Sequence, residues 1–232
     1  MCLVFAVMIA VFFGITYANG FGFSDDATLR EDNSALEQVT FDDSETKETD
    51  VLKDTEKRDV SALVSEIKEE EEAKAKAEAE AKKKHDDECI ARAKANKEKA
   101  GNPDDGVDFT IGKDAFVQTW GERIDIYLLG SPLQGQGKTF AEAAFENGID
   151  PRVSPAISNT ESSKGAVCFR PHNAWGWMAS SGWSTWEEAI NAHVKGYADG
   201  YGYTVNEACA KKYCPPTWQS WLSKTKAQMA KI

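Results

Sequence analysis

The residue best suited to chemistry in this sequence is Glu161, near the end of a predicted helix. That helix has an apolar face formed by Val153, Ala156 and Ile157, and Gly165 follows the glutamate four residues later. A carboxyl group held in a half-buried cleft has its pKa raised by desolvation. Such a protonated carboxyl can give its proton to the leaving oxygen of a glycoside. The alternative is that Glu161 is a solvated carboxylate at a helix end.

A second candidate segment follows, rich in aromatic and polar side chains. It contains His172, Asn173, Trp175 and Trp177. Aromatic faces suit sugar binding because the apolar C–H patches of a sugar ring pack on them, while polar groups bind its N-acetyl arms. The alternative for any one tryptophan is core packing, which we prefer for Trp186. For Trp175 and Trp177 we favour the cleft.

Four motifs follow one another in the C-terminal half of the chain. They are ISNTESSKG at 157–165, HNAWGW at 172–177, WSTWEEAI at 183–190, and KYCPP at 212–216 followed by two tryptophans. In this order they resemble the bacterial glucosaminidase and lysozyme-like superfamily. Its members show a helix ending in Glu-Ser-x-x-Gly, an Asn-aromatic-x-Gly segment, a Ser-x-x-Glu-Ala-Ile helix start and a closing Tyr-Ala-x-x-Pro element. The resemblance covers about residues 109–232.

This resemblance implies a secreted enzyme that cleaves a β-1,4 bond of peptidoglycan, of the endo-β-N-acetylglucosaminidase or the muramidase type. Glu161 matches the general acid of the family, and Tyr213 matches a tyrosine that assists near the reacting sugar. The substrate-binding residues implied are Ser162, His172, Asn173, Trp175 and Trp177. The expected partner is peptidoglycan or a related polymer of N-acetyl amino sugars, and no cofactor is expected.

One departure from the usual paired-carboxylate mechanism concerns the second carboxylate. No Asp or Glu lies between Glu161 and Glu187. Three routes stay open: the N-acetyl group of the substrate acts as the nucleophile, a carboxylate such as Asp150 or Glu187 reaches in, or an anhydro-sugar forms without water. We favour a single acid with substrate assistance, a known exception to the pairing rule.

The folded domain that must position these residues is C-terminal. All seven tryptophans lie between Trp120 and Trp221, and the apolar spacing there is mostly helical. The periodicity fails between Gly165 and Gly182, which suits a short hairpin or an irregular lobe. We therefore predict an α+β, mainly helical fold, with a lysozyme-like domain at 106–232 and a small β-hairpin lobe.

The N-terminal half has a different composition. Residues 1–18 are mostly apolar and end in a small-x-small pattern, which indicates a signal peptide more than a retained anchor. Residues 19–60 are acidic and predict a disordered leader. Residues 61–100 carry Glu-to-Lys pairs at i,i+4 spacing and have no apolar stripe after Ile67. We therefore predict a solvated helical stalk, or a low-complexity segment with no fixed role. This organisation favours an extracellular protein associated with a bacterial cell envelope.

Charge and cysteine content narrow the remaining classes. The net charge of −11 belongs to the first half, because residues 107–232 hold twelve acidic and twelve Lys or Arg side chains. Nucleic acid is therefore an unfavoured partner. An oxidising compartment favours a disulfide, for which we choose Cys168 with Cys214. We expect no metal site, because no CxxC spacing exists and His172 and His193 suggest no ligand geometry.

Two other functions compete with the enzyme. A non-catalytic wall-binding module would hold glycan in its Trp-rich cleft without turnover. A structural surface protein would depend on its acidic stalk, and the stalk alone would then bind the partner.

Overall fold

The computed structural model describes residues 49–177 and 182–232, with side chains from residue 60 onward. The predicted signal peptide and most of the acidic leader lie outside these residues. The chain divides into two units, residues 1–57 and 58–232, and the side-chain contacts described are those within the second unit. Seven α-helices and one 3₁₀ turn are described, with these bounds: α1 Thr49–Lys99, α2 Lys113–Leu128, α3 Gly137–Asn147, α4 Val153–Ser162, α5 Trp186–Tyr201, α6 Glu207–Tyr213, the 3₁₀ turn Pro215–Thr217, and α7 Trp218–Met229.

Helix α4 lies in the core, in contact with α5 and α7. Its apolar residues Val153, Ala156 and Ile157 are fully buried, as predicted for one face. The serines on its other sides are buried too. Ser154 shares a hydrogen bond of 2.9 Å with Nδ1 of His193, and Ser158 donates one of 2.8 Å to the carbonyl of Pro155. Because these small side chains are hydrogen-bonded internally, most of α4 can be buried, and Glu161 in its last turn is its one exposed residue.

Helices α2 and α3 form a tight antiparallel pair. A Cβ atom on Gly137 would lie only 2.2 Å from the carbonyl oxygen of Gly121, so this approach requires glycine. The amide of Gly137 donates a 2.7 Å hydrogen bond to the carboxylate of Asp125. This carboxylate satisfies one of the free amides at the start of α3, where negative charge is also favourable.

The last turns of α1 pack on the C-terminal domain. Cys89 and Ala93 are buried, and Asn96 donates a 3.0 Å hydrogen bond to the carbonyl of Gly148. Arg92 donates to the carbonyl of Glu146, so α1 side chains bind the free carbonyls at the end of α3. The predicted helix is confirmed, but it begins at Thr49, inside the predicted leader. The prediction of a solvated spacer holds for residues 60–84, which are exposed, and not for the last turns of the helix.

The mainly helical fold is confirmed, whereas the predicted β-hairpin lobe is wrong: residues 166–177 form turns, and the described parts of the chain contain no strand. His172 and Gly176 have φ angles of 53° and 64°, which interrupt an extended backbone. Pro171 has no N–H for a strand ladder, and its carbonyl instead accepts a 3.1 Å hydrogen bond from Trp183.

The predicted disulfide between Cys168 and Cys214 is also not formed, because both cysteines are free. The thiol of Cys168 lies 3.3 Å from the carbonyl of Gly165, and that of Cys214 lies 3.2 Å from the hydroxyl of Thr217. Each sulfur thus has a local partner of its own. None of the described helices is both long and apolar enough to cross a membrane.

The docking of α1 predicts an unequal cost for two glycine substitutions. Gly148 and Gly130 both have positive φ angles, 61° and 72°, but a Cβ on Gly148 would lie 2.7 Å from the backbone nitrogen of Ala93, whereas Gly130 has open space. We expect Gly148→Ala to lower the free energy of unfolding by about 1–3 kcal/mol more than Gly130→Ala, because α1 must shift. Equal losses in urea denaturation would contradict this packing.

Candidate active site

Helix α4 ends immediately after Glu161. Ser163, Lys164 and Gly165 have φ angles of 52°, 58° and 86°, a left-handed run that closes the helix. The amides of Ser163 and Lys164 donate 3.1 Å hydrogen bonds back to Asn159 and Ser158. These bonds satisfy carbonyls that the helix end would otherwise leave free. Glu161 therefore lies in the last turn, as the sequence predicted.

The carboxylate of Glu161 is held by a tryptophan of α7. Its Oε1 accepts a 2.6 Å hydrogen bond from Nε1–H of Trp221, and this indole is buried. Glu161 itself is exposed, so the half-buried cleft expected around it is not found. The arrangement is a surface carboxylate oriented by one buried donor.

Tyr213 lies beside the same tryptophan. Its ring stacks on that of Trp221 with centroids 4.8 Å apart, which brings the two strongest catalytic candidates to one place. Its hydroxyl donates a 3.1 Å hydrogen bond to the carbonyl of Trp175. Burial raises the pKa of this phenol well above its usual value, and the negative charge of Glu161 raises it further. The hydroxyl is therefore a neutral donor that holds the 173–177 segment.

Four rings form an aromatic row next to Glu161, namely Trp177, Tyr201, Tyr213 and Trp221. Trp177 lies 5.6 Å from Tyr201 and 6.1 Å from Tyr213 between ring centroids. Three of these rings are half-buried and only Trp221 is buried, so parts of the row reach the surface. Partly exposed aromatic faces are the surfaces on which sugar rings pack.

Ser162 is buried and does not reach the surface where a substrate would bind. Its Oγ lies 2.7 Å from the carbonyl of Ala174 and 2.9 Å from that of Ser158, and it accepts the amide of Gly165 at 2.9 Å. The predicted substrate contact is therefore replaced by a structural one, which ties the end of α4 to the 173–177 segment.

Asn173 and Trp175 are structural as well. The side chain of Asn173 exchanges two hydrogen bonds with the backbone of Trp177, at 2.7 and 3.1 Å, which closes a turn. Trp175 is 1% exposed, and its Nε1–H donates to the carbonyl of Ser154 at 2.9 Å. The cleft-lining role predicted for Trp175 is wrong because its ring fills the core. Trp177 remains available at its exposed edge.

His172 is half-buried and packs away from the core. Its Nδ1 is 2.9 Å from the carbonyl of Trp183, and its ring meets Trp186 edge-on with centroids 4.9 Å apart. Its left-handed backbone and these two contacts indicate a role in shaping the turn.

The candidates for a second carboxylate differ in availability. Asp150 is 1% exposed and is paired with Arg152 at 2.8 Å and with Thr204 at 3.0 Å. It also lies beyond the start of α4, and a ten-residue helix places its two ends about 15 Å apart. That exceeds the separation of about 6.5–9.5 Å used by inverting enzymes. Glu187 is exposed and accepts a 2.6 Å hydrogen bond from Gln136, so that route stays open.

Sequence reasoning missed three features. In the sequence, Trp221 is only the second tryptophan after the KYCPP motif, whereas the structure turns it toward the end of α4, where it binds Glu161. Val167 and Phe169 are 74% and 83% exposed in the turns that follow α4. Two surface cavities have volumes of about 390 and 370 Å³. The first lies between α2 and α3 and the second between α1 and residues 110–112, and no predicted site residue lines either.

One group of side chains has the composition of a metal site, contrary to our expectation. His85, Cys89 and Glu146 each place one ligand atom within 4.8 Å of the others. The spacing of His85 and Cys89, four residues apart on a helix, was the signal available in the sequence.

Comparison with known proteins found no protein-family model, no curated protein and no solved structure that matches this chain. The family resemblance of the motifs therefore stays a prediction.

The core of the C-terminal domain contains a fully buried histidine, His193. His193 stacks on Trp175 with centroids 4.7 Å apart, and among the described residues its Nε2 has no hydrogen-bond partner. Burial lowers the pKa of His193 from about 6.5 to about 3. The folded protein therefore keeps this ring neutral where the unfolded chain binds a proton.

This histidine predicts a pH-dependent stability. As the pH falls from about 6.5 toward 3, the unfolded state gains a proton that the folded state excludes, so stability decreases by up to about 1.4 kcal/mol per pH unit. We expect His193→Gln to remove this contribution, so its free energy of unfolding falls less steeply with acid than that of the wild type. Urea titrations at several pH values measure both slopes, and identical slopes would contradict the assignment.

Proposed function

We propose that this protein is an exported hydrolase of cell-wall glycan, and that Glu161 is its general acid. The observation that supports this most is the carboxylate at the end of buried α4, held at 2.6 Å by Nε1–H of Trp221 beside Tyr213. An acid for glycoside cleavage must be fixed in direction and yet reachable by a polymer. An exposed carboxylate with one buried donor meets both needs.

A lysozyme-like arrangement of helices is part of the same proposal. Its support is the position of α4, a short helix surrounded by others, with the candidate acid in its last turn. The four motifs that resemble the family lie around this helix end. Ser162 is hydrogen-bonded to the carbonyl of Ala174 and Tyr213 to that of Trp175, and a Cβ on Gly165 would lie 2.8 Å from the ring of Trp186. The motifs thus converge in space, although they are separate in sequence.

The substrate best suited to this site is a polymer of N-acetyl amino sugars such as peptidoglycan. Glu161 gives its proton to the leaving oxygen as the glycosidic bond breaks. The N-acetyl oxygen of the sugar attacks the same carbon from the other side and supplies the electron pair that a second carboxylate would otherwise supply. Water then opens this cyclic intermediate, and Glu161 takes a proton back. The burial of Asp150 removes one of the two carboxylates that could have paired with Glu161, and Glu187 is the one that stays open.

Replacing the acid tests the proposal directly. We expect the full-length protein to release soluble fragments from purified peptidoglycan, and Glu161→Gln to slow release by about 100-fold or more, because an amide cannot donate this proton. Glu122→Gln, an exposed carboxylate of α2, should release fragments at the wild-type rate. Mass analysis of the new ends identifies the bond cleaved and separates hydrolysis from anhydro-sugar formation. Equal release by wild type and Glu161→Gln would contradict the proposal.

The indole donor gives a second test. Trp221→Phe keeps a smaller ring against Tyr213 and removes the N–H that orients Glu161, together with part of the indole. We expect kcat to fall about tenfold or more with KM nearly unchanged, because the acid loses its direction while the aromatic row remains. Trp218→Phe is the matched control, since Trp218 lies on the same helix and packs near Lys211. The pH profile of kcat should change for Trp221→Phe alone; an unchanged profile and kcat would contradict a positioning role.

A glycan-binding module is the second candidate, favoured by the exposure of Glu161 and of Phe169. In that case Glu161 would only accept hydrogen bonds from sugar hydroxyls. Wall binding by the wild type without any fragment release would support this module over the enzyme.

A further inference from the structure

The contact between α1 and α3 contains three side chains of metal-ligand type. His85 and Cys89 are four residues apart on α1 and so lie on one face of the helix. Glu146 is in the last turn of α3. This group belongs to the docked part of α1 and shares no residue with the site around Glu161.

The distances between these side chains fit the shell of one metal ion. The sulfur of Cys89 is 3.5 Å from Oε2 of Glu146 and 3.9 Å from Nδ1 of His85. Nε2, the other nitrogen of the same ring, is 2.8 Å from this Oε2. When each side chain contributes a single ligand atom, the three atoms lie within 4.8 Å of one another. A tetrahedral ion with bonds of about 2.0–2.3 Å needs ligand atoms separated by about 3.3–3.8 Å. Small rotations of the His85 and Glu146 side chains produce this spacing.

The carboxylate of Glu146 is already oriented toward the other two ligands. Its Oε1 is bound by Lys113 at 2.5 Å, which leaves Oε2 facing His85 and Cys89. Metal-binding side chains commonly have such an outer partner that fixes their direction. Lys113 also compensates part of the negative charge that the ligands bring together.

The burial of the group suits a site that is closed on one side and open on the other. Cys89 is 1% exposed, whereas the side chain of His85 is 50% exposed and that of Glu146 is 32% exposed. An ion can therefore enter from the side of His85 and keep one water molecule as its fourth ligand. The thiol lies at the protected end, where competing solvent is excluded.

We propose that His85, Cys89 and Glu146 bind one divalent transition-metal ion of the zinc type, which fastens α1 to the end of α3. A set of one sulfur, one nitrogen and one oxygen ligand suits Zn²⁺ or Co²⁺ and disfavours Mg²⁺ or Ca²⁺. On binding, Cys89 gives its proton to solvent and becomes a thiolate. Thiolate and carboxylate together balance the two positive charges of the ion.

Cobalt titration of the full-length, reduced and chelator-treated protein tests this site. We expect one equivalent of Co²⁺ to produce a thiolate-to-cobalt charge-transfer band and Zn²⁺ to abolish it by displacement. Cys89→Ser should lose the band. Cys168→Ser and Cys214→Ser, which change two half-buried thiols elsewhere in the domain, should keep it. His85→Ala should weaken binding about tenfold or more, since even outer partners of a metal site have effects of 10–100-fold.

The controls keep a folding defect apart from a loss of ligand. His85 is half-exposed, so His85→Ala should retain the circular dichroism spectrum of the wild type. At the same concentration, Zn²⁺ should raise the melting temperature of the wild type more than that of His85→Ala. A wild type without the band, or a band that persists in Cys89→Ser, would overturn the proposal. Neither result bears on the activity assigned to Glu161.

Discussion

The position of Glu161 depends on the hydroxyl group of Ser162. This buried oxygen lies 2.7 Å from the carbonyl of Ala174, and it accepts the amide of Gly165. It therefore joins the last turn of α4 to the segment that carries Trp175 and Trp177. The left-handed run at 163–165 closes the helix itself. Without the Ser162 link, the segment that carries Trp177 would lose its fixed relation to the carboxylate of Glu161.

The sequence predicted the parts of the fold that apolar spacing controls. The helices of the C-terminal half and the placement of Glu161 near a helix end follow from recurring apolar residues. Trp175 was misassigned because a tryptophan in a motif gives no sign of whether its ring enters the core; here its N–H finds the Ser154 carbonyl. Ser162 was misassigned because a serine in a catalytic motif looks polar and exposed, whereas α4 buries it. The predicted hairpin does not form because turns with positive φ angles take the place of a strand ladder.

The sequence predicted the exposed part of the long charged helix but not its docked part, for a similar reason. Its Glu and Lys residues dominate the composition and predict a solvated rod, and this is what residues 60–84 are. The docked part depends on small side chains at i, i+4 and i+7, namely Cys89, Ala93 and Asn96, which a hydrophobicity pattern does not register. Their partners are the carbonyls at the end of α3, so this contact appears only when two distant segments are folded together.

The central claim is that the Glu161–Trp221 pair lies where glycan binds, and the seven indole N–H groups allow a direct measurement. In ¹⁵N-edited NMR of the full-length protein, with the Trp221 signal assigned by Trp221→Phe, a soluble oligomer of N-acetylglucosamine is added. The account predicts that the Trp221 indole signal moves, since sugar contacts its acceptor, while that of buried Trp120 on α2 stays in place. An unchanged Trp221 signal in a protein that binds the oligomer would contradict the account.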